Sequence, residues 1–158
     1  MIEMKQYLID TFNFNDYANK NILKKINELQ DKEASIRFFS HLINSQNKWL
    51  DRIIKYPAES KLDWWDPVYN LNVIETEWNK SLKAWIDFLE MKSDDELFTR
   101  TKFIGFDGGT WVAEIKDIAL QLNYHSIHHR AQIQTLIRQQ GIKPDFIDYI
   151  GIKYEKIS

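Results

Sequence analysis

Cysteine is absent from the 158-residue chain. No disulfide framework, thiolate metal site or nucleophilic cysteine is available, so any metal must be held by histidine, carboxylate and water. Only three prolines and five glycines interrupt it, a scarcity of breakers that suits a mostly helical protein. No apolar run approaches the roughly 20 residues of a membrane-spanning helix. The first fourteen residues carry Glu3, Lys5 and Asp10, unlike a signal peptide. Nor is there an excess of positive charge. Twenty-one Lys and Arg stand against 23 Asp and Glu, for a formal net charge of −2, and the basic residues are dispersed. That leaves no electrostatic footprint for nucleic acid. The expectation is a cytoplasmic protein with neither a membrane nor a nucleic-acid partner. One domain over residues 1–158 is long enough to bury its own core.

The stretch from Glu114 to Gln140 reads as one long helix. Ile115, Leu122 and Leu136 are spaced in multiples of seven and form one seam, and Ile118 opens a second seam a turn away. His129 falls on the first seam and His125 on the second. Two imidazoles therefore sit one turn apart on the face due for burial. A buried imidazole needs a partner for each ring nitrogen. One answer is a divalent metal, for which histidines at i and i+4 are suited. The other is a pair of core histidines hydrogen-bonded to polar residues of facing helices. A zincin helix has Glu directly after its first His. Ser126 stands there instead, so a metalloprotease would lack its general base.

Glu3 to Leu29 has helical spacing of apolar residues and forms helix one. Asp31 is placed as the N-cap of helix two, which runs to about Lys55, where Tyr56-Pro57 ends it. On a helical wheel His41 lies away from the apolar set of helix two, nearer Phe38 and Ser45, and by itself reads as a solvated or groove-edge residue. Trp64-Trp65, in the loop that follows, either plug one end of a bundle or wall a pocket, and the plug is the commoner role. Asn70 to Met91 forms helix three, and Ser93 caps a short turn. Thr99 to Phe106 has strand character, and Asp107-Gly108-Gly109 supplies a tight turn for a small hairpin. Thr110 is placed as the cap of helix four, which ends near Gly141. In the tail, Phe146, Ile147, Tyr149 and Ile150 are expected to pack back on the bundle.

Tyr124-His125-Ser126-Ile127-His128-His129-Arg130-Ala131-Gln132-Ile133, with Pro144 beyond, resembles the signature helix of the DinB family, a YfiT-like group of metal-dependent proteins. Phe14-Asn15-Asp16-Tyr17-Ala18-Asn19 and the stretch His41 to Leu50 are similar to its first- and second-helix motifs. The likeness covers nearly the whole chain. It implies an all-α fold, a four-helix up-down-down-up bundle with a long crossover, here containing the short hairpin between helices three and four. It also implies a metal site of three histidines, which carried over position by position are His41, His125 and His129. His128 aligns with a variable position outside the ligand set. Ala131 replaces a usual Gly, and Gln121 stands where many members have another His, which weakens a polar helper there.

Three neutral imidazoles leave positions open for water or substrate, the pattern of a catalytic site. Such a site takes zinc or nickel first, and iron or copper also suit it. Characterised relatives use low-molecular-weight thiols, among them bacillithiol, mycothiol and glutathione. The resemblance therefore implies a small-molecule substrate and a metal-dependent thiol S-transferase, with homodimerisation common in the family. Two other readings stand beside it. One is a metal-dependent hydrolase, for which Asp145 or Asp148 would serve as base only if the tail covered the open end. The other is a non-catalytic helical bundle that acts through a partner. No catalytic side chain is assigned. Arg130 is expected in a structural ion pair rather than on an anionic substrate, and Tyr124 as packing or pocket wall.

Overall fold

A computed structural model describes residues 3–158; Met1 and Ile2, the first two residues of the expected domain, lie outside them. The elements are α1 (Met4–Glu28), α2 (Glu33–Lys55), α3 (Ile74–Glu90), a short α4 (Asp94–Leu97), β1 (Arg100–Ile104), β2 (Thr110–Glu114), α5 (Ile115–Gln139) and a closing 3-10 turn (Tyr149–Ile152). The described residues are mostly helical, with one two-stranded sheet. Among the described residues no helix is long and apolar enough to cross a membrane.

Four long helices make the core. α1 and α2 each pack against both α3 and α5. The helical repeat of α1 buries Leu8, Phe12, Ile22 and Ile26, and that of α3 buries Ile74, Trp78, Trp85 and Leu89. Phe12 stacks on Trp85 with centroids 5.6 Å apart. Each such fully buried side chain contributes about 1.5–3 kcal/mol. The two core tryptophans satisfy their indole N–H groups, Trp78 on Asp16 Oδ1 at 2.8 Å and Trp85 on the Gln46 carbonyl at 2.8 Å.

On α5 the buried face runs Ile115, Ile118, Leu122, Ser126, His129, Ile133, Ile137. Leu136, placed on the seam by counting sevens, is only partly buried. A straight helix of 3.6 residues per turn drifts away from a strict seven-residue repeat, so Ile133 and Ile137 take over the core position. Gly141, at φ +78°, stops the helix, and Ile142 N donates to the Ile137 carbonyl at 3.2 Å.

Several boundaries differ from expectation for local reasons. α2 starts at Glu33 with Lys32 at its cap position; Asp31, one residue earlier, accepts from Glu33 N at 3.1 Å. α3 starts at Ile74 rather than Asn70, because Asn70 Oδ1 takes the Asn72 N–H at 3.1 Å and holds a turn there. Ser93 caps α4 in a full capping box. The hairpin forms with Phe103 opposite Trp111, and Gly108 supplies its turn at φ +76°. Thr110 is therefore the first residue of β2 and not a helix cap; Glu114 precedes α5 instead. α1 is capped from a distance, with Met4 and Lys5 N–H groups donating to the Asp94 carboxylate at 2.9 and 2.8 Å. Of the tail, Ile147 joins the core and Tyr149 meets Phe14 edge-on at 5.1 Å, while Phe146 and Ile150 stay exposed.

The segment between α2 and α3 lies along one side of α2 and is tied there. Lys48 Nζ donates to the Leu62 carbonyl at 2.5 Å, Asn44 Nδ2 to the Pro67 carbonyl at 3.1 Å, and Tyr69 N to Ser40 Oγ at 3.0 Å. The polar side of α2 is thereby buried rather than solvated.

Candidate metal centre

His125 and His129 point from the same side of α5 towards α2, as their one-turn spacing requires. α2 brings His41 to meet them, with its side chain buried under the loop of residues 56–73. His41 Nε2 lies 3.0 Å from His125 Nε2, and His129 Nε2 lies 2.9 Å from the same atom. The rings are close to mutually perpendicular, at 78°, 89° and 88°, with centroids 4.5–4.8 Å apart. One ligand atom from each falls within 4.8 Å of the others, a group that can hold a metal ion. His128 is exposed and turns an edge to His129 at 5.0 Å, outside this group.

The outer nitrogens decide the tautomers. His41 Nδ1 meets the Trp64 carbonyl at 2.6 Å, and a carbonyl only accepts, so Nδ1 carries the proton and Nε2 is a lone pair. His129 Nδ1 meets Gln132 Oε1 at 2.6 Å, which leaves its Nε2 a lone pair too. His125 Nε2 faces both and has at most one proton to give. At least one pair of nitrogens is therefore left lone pair against lone pair at about hydrogen-bond distance, an arrangement that calls for positive charge at the centre. Nitrogens held about 2.0–2.1 Å from one ion lie about 2.9 Å apart at right angles and about 3.4 Å apart at tetrahedral angles, close to the spacing here. The residues fit a metal.

Each imidazole is held neutral, as a ligand must be. Burial lowers the His41 pKa, although the Trp64 carbonyl works the other way. Burial first, then the neighbouring histidines, draw His125 down to about 4. His129 is lowered by burial, against the Gln132 hydrogen bond.

Aromatic rings wall the cluster. Trp65 stacks on His41 with centroids 3.8 Å apart and planes 8° from parallel. Phe38 stacks on His129 at 5.4 Å, and Arg37 lies over Trp65 at 5.6 Å. Trp64, next in the loop, packs with Trp49 and carries Arg52 over its ring at 4.8 Å. The tryptophan pair is thus a site wall and a loop anchor, not a bundle plug. Adjacent tryptophans beside Pro67 gave a signal for the loop, but nothing in their spacing placed them against His41. Gln132 lay inside the signature stretch without a role; it orients His129.

Other expectations resolve differently. Among the described residues Arg130 makes no ion pair: its partners are Asn15, Asn19 and Ser126. Gln121 is exposed, and Tyr124 lines a cavity on the other flank of α5. The tail bearing Asp145 and Asp148 packs on the α1 side, at Ile147 and Tyr149, so neither carboxylate covers the histidines. Among the described residues the converging group contains no carboxylate. A family model described as DinB family matches residues 4–157, nearly the entire chain. No curated protein and no solved structure matches.

Proposed function

The chain belongs to the DinB family, and from that premise we propose that it is a metal-dependent enzyme that transfers a low-molecular-weight thiol to a small electrophilic substrate. The observation that carries this is the corner of three imidazoles: two have their outer nitrogens engaged and both point lone pairs at the third. A metal bound there supplies Lewis acidity and lowers the pKa of a thiol towards neutrality. The chain's own residues do the rest. The Trp64 carbonyl and Gln132 fix two rings in orientation, which raises their basicity as ligands. Trp65 and Phe38 exclude water from one side, so charge at the centre is felt more strongly. With no cysteine in the chain, a reacting thiol comes from a small molecule.

Thiol transfer is favoured over hydrolysis because, among the described residues, no carboxylate joins the cluster to serve as base for water. Zinc or nickel is the proposed metal, with iron or copper compatible with the same donors. The rest of the reading is a single domain, cytoplasmic and homodimeric, in which α1, α2, α3 and α5 run up-down-down-up. The short link before α2 and the longer segment of residues 56–73 support that order. Metal analysis of untagged protein, followed by thiol consumption with a model electrophile alongside ester and amide substrates, tests the proposal. Stoichiometric metal and thiol-dependent turnover are expected. Thiol-independent ester or amide cleavage would favour the hydrolase, and no metal at all would leave a plain bundle that works through a partner.

A further inference from the structure

The flank of α5 that faces α1 carries a second polar cluster. Arg130 is 4 % exposed, yet every partner of its guanidinium is neutral. Nη1 donates to Asn15 Oδ1, to Asn19 Oδ1 at 3.0 Å and to Ser126 Oγ at 2.9 Å. Among the described residues no carboxylate pairs with it, and neither Nε nor Nη2 finds an acceptor. A guanidinium stays protonated at neutral pH, so the group is a buried cation. Phe14 lies against it, 5.6 Å from ring centre to guanidinium carbon.

A cavity of about 190 Å³ opens here between α1 and α5, with Phe14, Leu120 and Ile127 as apolar wall and Asn15, Asn123 and Arg130 as polar lining. Both asparagines have an unpaired buried atom. Asn15 Nδ2 has no acceptor, because its oxygen is turned to the guanidinium. Asn123 Oδ1 has no donor, because its nitrogen serves Thr11 Oγ1 at 3.0 Å and the Ala119 carbonyl at 3.1 Å. Reversing either amide would set nitrogen against a cation or oxygen against a carbonyl, so these orientations are fixed by chemistry. Orphaned buried groups in a folded protein call for a partner. Both orphaned atoms lie beneath the cavity wall, so what the cavity itself presents is an uncompensated cation among apolar side chains.

We propose that this cavity is a binding site for a small organic carboxylate with an apolar body about the size of a benzene ring. Arg130 takes the carboxylate, in the charge-assisted geometry that suits guanidinium. Phe14, Leu120 and Ile127 cover the body. Inorganic phosphate is a poorer match, because a single guanidinium would leave its second charge unneutralised in an apolar wall. The imidazole cluster faces α2 instead, so this site stands or falls without regard to the metal.

Calorimetric titration of the full chain with 4-hydroxybenzoate, and with neutral benzyl alcohol as control, tests it. Binding of one 4-hydroxybenzoate per chain is expected, at least tenfold tighter than benzyl alcohol. Arg130→Gln is expected to abolish it. Should that variant fail to fold, Ile127→Trp fills the half-exposed wall without touching the guanidinium's partners, and its circular dichroism melt verifies the fold. At least a tenfold loss of binding is expected in a folded Ile127→Trp protein. No saturable binding of the carboxylate, equal affinity for the alcohol, or unchanged binding in Ile127→Trp would each overturn the proposal. So would a dimer in sedimentation that Ile127→Trp dissociates while the carboxylate fails to bind, because the face would then belong to a second copy.

Discussion

Two buried polar clusters flank one helix. On the α2 side of α5, His125 and His129 gather with His41 and present electron pairs to one another; on the α1 side, Ser126 and Arg130 gather with Asn15 and Asn19 around a cation. The residues alternate along a single stretch of chain, and a step of one residue turns a helix by about 100°, enough to send neighbours to different partner helices. The clusters resemble each other in burial and differ in sign. One lacks positive charge, the other lacks negative charge, and a buried polar group of either kind is costly until matched. Burial alone therefore says little about purpose. What each cluster leaves unpaired says what it is built to receive.

If the two flanks are independent, changes on one side should be invisible on the other. The largest effect is expected from His125→Ala. The central nitrogen is lost, and metal content measured by mass spectrometry should fall from near one per chain to none, with the Arg130 side unaffected. Metal retained in that variant would break the comparison outright. Next comes Arg130→Ala, which strips a donor from three buried acceptors. A loss of about 3 kcal/mol in urea unfolding is expected from unsatisfied groups of this kind, with metal content unchanged. If metal is lost as well, the flanks are coupled through α5. Gln132→Leu removes only the group that orients His129. A 10–100-fold weaker metal affinity, read by competition with a chelator, is expected at unchanged fold.

The smallest effect concerns pH. All three imidazoles have folded-state pKa values below the ordinary 6.5, with His125 at about 4. Protons therefore compete poorly with a metal near neutrality. Affinity is expected to change less than about twofold between pH 8 and 7, and to fall as pH drops below 6.5 towards about 4. The same shifts set stability without metal. Between pH 6.5 and about 4 the unfolded chain binds more protons than the folded one, so stability is full above 6.5 and is lost as pH falls. Urea midpoints measured across that range, in chelator, would read it; a midpoint that rises on acidification would contradict the assigned neutral state.

Much of this is legible in the sequence, for a physical reason that varies by residue. The α5 pair could be read because i, i+4 spacing fixes direction on a helix whatever the rest of the chain does. The hairpin and the Ser93 cap were legible because turn and cap chemistry is local. His41 was misread by the wheel, which assigns polar flanks to solvent. Its neighbours Ser40, Asn44 and Ser45 are buried because the loop of residues 56–73 lies over them, and only the family likeness grouped His41 with His125 and His129. Trp65 failed for the same reason: a loop tryptophan's partner depends on where the loop is tied, here by Lys48 and Asn44. The ion pair expected of Arg130 assumed that a buried cation would find a carboxylate, and the chain surrounds it with amides and a hydroxyl instead.

The amino-acid order by itself determined the helices, their apolar stripes, the absence of thiolate chemistry and the presence of two imidazoles on one face, because each of these rests on backbone periodicity or on inventory. Only the tertiary structure decided that His41 completes the corner, that Trp65 walls it and that Arg130 stands against an open cavity. Those outcomes depend on which surfaces of distant segments meet, and on which donors and acceptors are left over once they have.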